Sequence, residues 1–94
     1  MSANNFTFTG VIIKERRGFS ALCLELDVAS QGLTIPQAKK ALLEAVTLYL
    51  ETAIESNLPY MRPVPLEEDP RRTNPRRVVK VLNLKVDLTV HAYA

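Results

Sequence analysis

Two kinds of hydrophobic periodicity divide the chain. At 6–15 and 19–26, β-branched and aromatic residues predominate, which predicts two strands joined by a turn at Gly18. Because apolar side chains occur on both faces of the second strand, we expect it to be central in its sheet. The segment 28–31 predicts a short third strand before Gly32.

A long amphipathic helix follows these strands. Thr34 and Gln37 form a T-x-x-Q capping box, and nothing interrupts the helix before Ser56, which predicts about 22 residues and roughly 33 Å. We expect one apolar strip to cover the sheet: Ala38, Leu42, Ala45, Val46, Tyr49 and Ala53. A second apolar strip contains Leu43, Leu50 and Ile54. A single sheet is expected to cover only the first strip, so the second predicts a partner interface.

The last third of the chain changes from proline-rich to strictly alternating. Segment 59–77 holds five of the six prolines and predicts an extended loop. Segment 78–93 then predicts a strand with one dry and one wet face, approaching 50 Å in length. We expect it either to bend near Lys80 or to project and pair with another strand. The predicted partner interface includes its dry-face residues Leu84, Val86 and Leu88.

The element order β-β-β-α-β predicts an α+β fold in two layers, an antiparallel sheet with one long helix on one face. We expect the 94 residues to form a single domain, with a core at 6–58, a basic proline-rich loop at 59–77 and a C-terminal strand at 78–93. No separate DNA-binding domain is expected. Without a long apolar run or a signal peptide, the sequence predicts a cytoplasmic protein that does not enter a membrane.

The net charge of +2 conceals a segregated distribution. Five basic residues and no acidic one fall between positions 71 and 80, namely Arg71, Arg72, Arg76, Arg77 and Lys80. Removing these five positive charges from +2 leaves about −3 on the remaining chain. Two interpretations stay open. The basic residues contact the phosphates of a nucleic acid, or they form a solvated loop that balances acidic residues of the same protein or of a second subunit.

The sequence does not indicate catalytic chemistry. Cys23 lies in an apolar strand and is expected to be a small buried residue. His91 falls on the wet face near the end of the chain, so the two do not form a Cys/His pair. The acidic run 67–69 is expected to be solvated rather than to bind a divalent ion. No phosphate-binding or nucleophile motif occurs, and we expect no enzyme activity, no cofactor and no metal.

The segment from Phe8 to about Leu66 resembles the HicB family of antitoxins. The residues that carry the resemblance are Gly18-Phe19-Ser20-Ala21, the run from Cys23 to Gly32, Thr34 and Ala38 at the start of the helix, Glu44-Ala45 within it, and Pro63-Val64-Pro65 after it. Two positions depart from the family pattern. Leu24 stands where a proline is usual, and Pro36-Gln37 stands where acidic residues are common.

The resemblance implies a partial ribonuclease H fold without ribonuclease activity. It implies a bacterial protein that binds and masks a small ribonuclease toxin of the HicA type. We therefore expect a non-catalytic, HicB-like interaction module that forms a homo-oligomer, either a dimer or a tetramer. The alternatives are a nucleic-acid-binding module that uses residues 71–80, or an orphan structural protein of the same fold.

Overall fold

A computed structural model of the chain describes residues 2–90, with side chains described for residues 5–88. The strands are β1 (Ser2–Lys14), β2 (Phe19–Cys23), β3 (Val28–Gly32) and β4 (Val78–Val90), and the long helix is α1 (Ile35–Glu55). All four strands form one antiparallel sheet in the order β3-β2-β1-β4. The predicted β-β-β-α-β order and the α+β class are confirmed.

The central position of β2, between β3 and β1, agrees with its two apolar faces. It pairs only with residues 10–14 of β1, because the chain turns away after Cys23. At that point the backbone N–H and the hydroxyl of Thr9 donate to the Glu25 carboxylate, at 2.7 and 2.8 Å. The N–H of Leu24 donates to the Thr9 carbonyl at 3.0 Å, a bond that a proline at this position would not make.

Strands β1 and β4, each of 13 residues, pair from Ser2 opposite Val90 to Ile13 opposite Val78. The register shifts next to Lys80, where Ile12 pairs with Lys80 and Ile13 with Val78, so Val79 is an extra residue. The molecule measures 50 Å along its longest axis. The long strand is thus irregular beside Lys80, and its pairing partner is β1 of the same chain. Predicted strand residues 91–93, which include His91, lie outside the described residues.

Helix α1 begins at the predicted cap. The hydroxyl of Thr34 accepts from the N–H of Gln37 at 3.2 Å. The Gln37 side chain accepts in turn from the N–H of Leu33 at 3.1 Å, one residue before the position that a standard capping box uses. Gly32 allows the close approach between β3 and α1, because a Cβ atom there would lie 2.5 Å from the Ala38 nitrogen.

The core lies between α1 and one face of the sheet. Its buried helical residues are Ala38, Leu42, Val46, Leu50 and Ala53. The expectation that Leu50, Leu84, Val86 and Leu88 present a partner surface needs correction, because all four side chains are buried in this core. The two predicted strips are not separate surfaces. Helix α1 contacts β3 and β2 as well as β4, and a twisted sheet of this width covers a broad sector of the helix.

Segment 59–77 is more ordered than the predicted extended loop. It contains a 3-10 turn at Leu66–Glu68, a short helix α2 at Pro70–Thr73 and a second 3-10 turn at Pro75–Arg77. Near its start, the N–H of Val64 donates to the Leu24 carbonyl at 2.8 Å. Helix α2 lies against β1, where Val11 is fully buried on the strand face opposite Ile12. The described helices include none long and apolar enough to span a membrane.

Candidate partner-binding surfaces

An open apolar groove of about 440 Å³ lies along the C-terminal half of α1. We call it the α1 groove, and its lining residues are Ala45, Leu48, Tyr49, Thr52, Ala53, Leu58 and Pro59. Leu48 and Leu58 are the large apolar side chains of the groove that are exposed to solvent, at 66% and 57%. Exposed leucines that share one concave surface are typical of a protein-binding site.

The end of α1 builds one wall of the groove. Asn57 takes a left-handed backbone conformation with φ 53°, and the N–H of Leu58 donates to the Ala53 carbonyl at 2.8 Å. This is a Schellman motif, which folds the residue after the turn back onto the last helical turn. The Tyr49 hydroxyl donates to the Tyr60 carbonyl at 2.8 Å and fixes the segment that follows. The groove is therefore held in shape by local hydrogen bonds.

Two acidic side chains lie next to Leu48, outside the lining of the α1 groove. Glu51 and Glu55 follow Leu48 by three and seven positions, so they lie on the same side of the helix, and both are exposed. The last turn of α1 carries no basic residue to offset the negative end of the helix dipole. The surroundings of the groove thus favour a partner with a basic, apolar surface.

A second surface lies at the β1–β2 turn, and most of its side chains are basic rather than apolar. An open cleft of about 530 Å³ is lined by Lys14, Glu15, Arg16, Arg76 and Arg77. We call this cluster the basic end. Gly18, with φ 89°, makes the turn possible, since a Cβ atom there would lie 2.5 Å from the Gly32 carbonyl oxygen.

The charges of the basic end are only partly compensated. Glu15 accepts a hydrogen bond from the Ser20 hydroxyl at 2.8 Å and lies 3.7 Å from the guanidinium of Arg77. Lys14 lies 4.6 Å above the ring of Phe19, a cation–π contact that covers the aromatic face. The cleft therefore offers four cations and one carboxylate.

The five basic residues predicted as one cluster separate in the structure. Arg76 and Arg77 join the basic end, and Lys80 follows on β4. Arg72 is exposed on α2, whereas Arg71 binds the carboxylate of Asp69 at 2.7 Å. Arg71 is thus committed within the chain, and its hydrogen bonds hold the pKa of Asp69 below its usual value.

The remaining candidate residues also have defined places. Leu43 and Ile54 are half-buried beside the core, so they offer only part of their side chains to a partner. Cys23 is fully buried, and this burial raises the pKa of its thiol to about 11. Within residues 2–90, no group of three or more His, Cys, Asp and Glu side chains is arranged to hold a metal ion.

Two features of these surfaces were missed at the level of sequence. Leu48 falls between Glu44 and Glu51 on the polar side of the helix, and an isolated leucine among acidic residues was a signal for an exposed contact. The participation of Lys14 and Arg16 in the basic end had no local signal, because they are some sixty positions from Arg76.

The two-layer β-β-β-α-β arrangement is a HicB-like fold. It matches the crystal structure of the Burkholderia pseudomallei antitoxin HicB with a TM-score of 0.57 and 20% sequence identity. The match covers 86% of this chain and 61% of the antitoxin chain, so this chain spans less than two thirds of that protein's length. No family model and no curated protein matches the sequence.

Proposed function

We propose that the chain is a non-catalytic interaction module of the antitoxin type, which binds a small ribonuclease toxin and covers its active surface in the bacterial cytoplasm. The observation that carries this proposal is the HicB-like fold, shared with an antitoxin over 86% of this chain. The resemblance of residues 8–66 to the HicB family supports the same function.

The chemistry of the described side chains supports binding rather than catalysis. The one thiol is buried and, with a pKa of about 11, is protonated at neutral pH. The buried carboxylate, Asp69, is occupied by Arg71. A group that activates substrates needs access and a suitable pKa, and these two groups have neither.

We propose the α1 groove as the toxin contact. Leu48 and Leu58 supply the apolar centre that a specific interface requires. The exposed Glu51 and Glu55 supply negative charge on the Leu48 side of it. A small basic protein matches this distribution of charge, because its cations would be attracted to these carboxylates while its apolar side chains fill the groove.

Co-expression with the product of the adjacent gene tests this function. We expect the two proteins to purify together, and we expect this chain to relieve the growth arrest that the neighbour causes when expressed alone. If the adjacent gene does not encode a small basic protein, or if no complex forms, the antitoxin function is rejected.

A second candidate function is nucleic-acid binding through the basic end. The observation in its favour is that the β1–β2 turn brings Lys14 and Arg16 to Arg76 and Arg77, so four cations line one cleft. Guanidinium groups form paired hydrogen bonds with phosphates, and a phosphate backbone needs no apolar contact.

Fluorescence anisotropy with a short DNA duplex tests the second candidate. Affinity should fall steeply between about 50 and 200 mM salt, and Arg76→Ala with Arg77→Ala should lower the slope of log K against log salt by about 2. The control is Lys39→Ala with Lys40→Ala, which removes the same charge from exposed positions of α1. Equal slopes for the two double variants would rule out the basic end as the contact.

A further inference from the structure

The outer edge of β4 is the longest free strand edge in the described part of the chain. β4 is at one end of the strand order, with β1 on its inner side, and it has 13 residues, whereas the opposite edge strand β3 has 5. The register shift at Val79 disturbs only the beginning of β4, so residues 82–90 are regular. A long regular edge presents unpaired backbone groups that favour the addition of another strand.

The sequence of this edge is nearly symmetric about Val86. Moving outward from Val86, Lys85 stands opposite Asp87, and Leu84 stands opposite Leu88. The next positions are Asn83 with Thr89 and Leu82 with Val90. When two antiparallel copies of β4 lie side by side around a two-fold axis through Val86, each residue therefore meets one of similar or complementary character.

Charge selects this register among its neighbours. Centring the pair on Lys85 or Asp87 puts two like charges directly opposite each other, which is destabilising. Centring it on Asn83 or Leu84 puts both charged residues opposite neutral ones. Among centres at residues 83–87, Val86 alone pairs Lys85 of each copy with Asp87 of the other, and the two-fold axis makes this ion pair twice.

We propose that the chain forms a two-fold dimer in which the β4 edges of two copies pair antiparallel about Val86, giving one continuous eight-stranded sheet. A two-fold axis perpendicular to the sheet places both α1 helices on the same face. Pairing of residues 82–90 supplies roughly one backbone hydrogen bond per paired residue. A single lysine on an edge strand disfavours pairing with another strand. Here Asp87 follows Lys85 on the same face, so a second copy of β4 can place its own Asp87 opposite this lysine.

These two charges are free for such a role. Within the chain, β1 places Thr7 opposite Lys85 and Asn5 opposite Asp87, and both are neutral. The ion pairs among the described residues are Asp69–Arg71 and Glu15–Arg77, which include neither charge. Both side chains are exposed. Reversing their charges therefore changes the proposed interface without removing an ion pair from the fold.

Sedimentation equilibrium of the full chain tests the proposal. We expect the wild type to have twice the mass of the 10.5 kDa protomer, or a tetramer that contains this dimer. Lys85→Asp alone, or Asp87→Lys alone, should raise the dissociation constant of the β4 dimer about tenfold or more. The double variant, Lys85→Asp with Asp87→Lys, should restore the wild-type constant, because it rebuilds both pairs in reverse.

Mixing the two single variants provides a second measurement. One single variant carries two negative charges at these positions and the other carries two positive ones, so an equimolar mixture should form heterodimers more tightly than either variant forms homodimers. A monomeric wild type at high concentration, or an oligomer indifferent to all three variants, would overturn the proposal. Neither measurement uses a toxin, so they are independent of the proposed function.

Discussion

The carboxylate of Asp69 accepts three hydrogen-bond contacts from the guanidinium of Arg71, the shortest at 2.7 Å, and one from its backbone N–H at 2.9 Å. Asp69 is 6% exposed and is the N-cap of α2. One side chain thus starts the short helix and neutralises a neighbouring arginine. This contact organises the segment that lies against β1.

Asp69→Ala is expected to reduce the free energy of unfolding by about 1–2 kcal/mol, because it removes the cap of α2 and the partner of Arg71. Urea denaturation measures this loss. Glu67→Ala is the control, since Glu67 is exposed and its loss should change stability by less than about 0.5 kcal/mol. Equal stability of the two variants would show that the Asp69 contact does not hold the segment.

The same contact predicts that the free energy of unfolding depends on pH in the acid range. Because the pKa of Asp69 is lower in the folded chain than its ordinary value of 3.8, its contribution to stability is fully present above that pH. The contribution is lost as the pH falls through the folded pKa. Below about pH 4, the wild type should therefore lose stability more steeply than Asp69→Ala.

The burial of Cys23 predicts that the free energy of unfolding depends on pH in the alkaline range. Burial raises its pKa from 9.0 to about 11, so the folded chain keeps a proton that the unfolded chain releases between these values. Stability is therefore unaffected by this group below pH 9.0 and falls as the pH rises towards 11. Denaturation of the wild type and Cys23→Ala over this range should show a steeper decline in the wild type. Parallel curves would contradict the assignment.

Gly32→Ala should destabilise the chain by about 1–3 kcal/mol, because overpacking forces backbones apart. Its Cβ atom would lie 2.5 Å from the Ala38 nitrogen and 2.8 Å from the Gln37 carbonyl carbon, and both are backbone atoms of α1. Thermal unfolding measures the effect, with Gln31→Ala as the exposed neighbour that should leave the midpoint nearly unchanged. A midpoint equal to that of the control would mean that β3 and α1 separate at no cost.

The elements that sequence predicted well are those that local patterns determine. The cap at Thr34 defines the start of α1, and alternation from Leu82 to Leu88 defines the dry face of β4. The burial of Leu50 was not predictable in this way, because it depends on how far the sheet twists around the helix. Arg16 and Arg76 line one cleft because segment 59–77 packs back against the sheet near the β1–β2 turn. No local sequence pattern predicts that packing.

Proline content misled the prediction for that same segment. Because of its prolines, this segment is expected to contain no helix. Pro70 nevertheless occupies the first position of α2, where its missing N–H costs nothing, and Asp69 supplies the cap. The acidic residue beside the proline was the available signal, because Asp-Pro followed by polar residues is also a helix start. Composition alone did not distinguish the two cases.

The central claim is that the α1 groove binds a toxin, and calorimetric titration of the adjacent gene product into Leu48→Asp tests it most directly. Leu48 is 66% exposed, so the variant should fold normally, and a charge in the groove should weaken binding by about thirtyfold or more. The control is Leu33→Asp, which makes the same Leu-to-Asp change at a position that is 74% exposed and lies just before the start of α1. Wild-type affinity for the control with a loss for Leu48→Asp supports the account, whereas wild-type affinity for Leu48→Asp would contradict it.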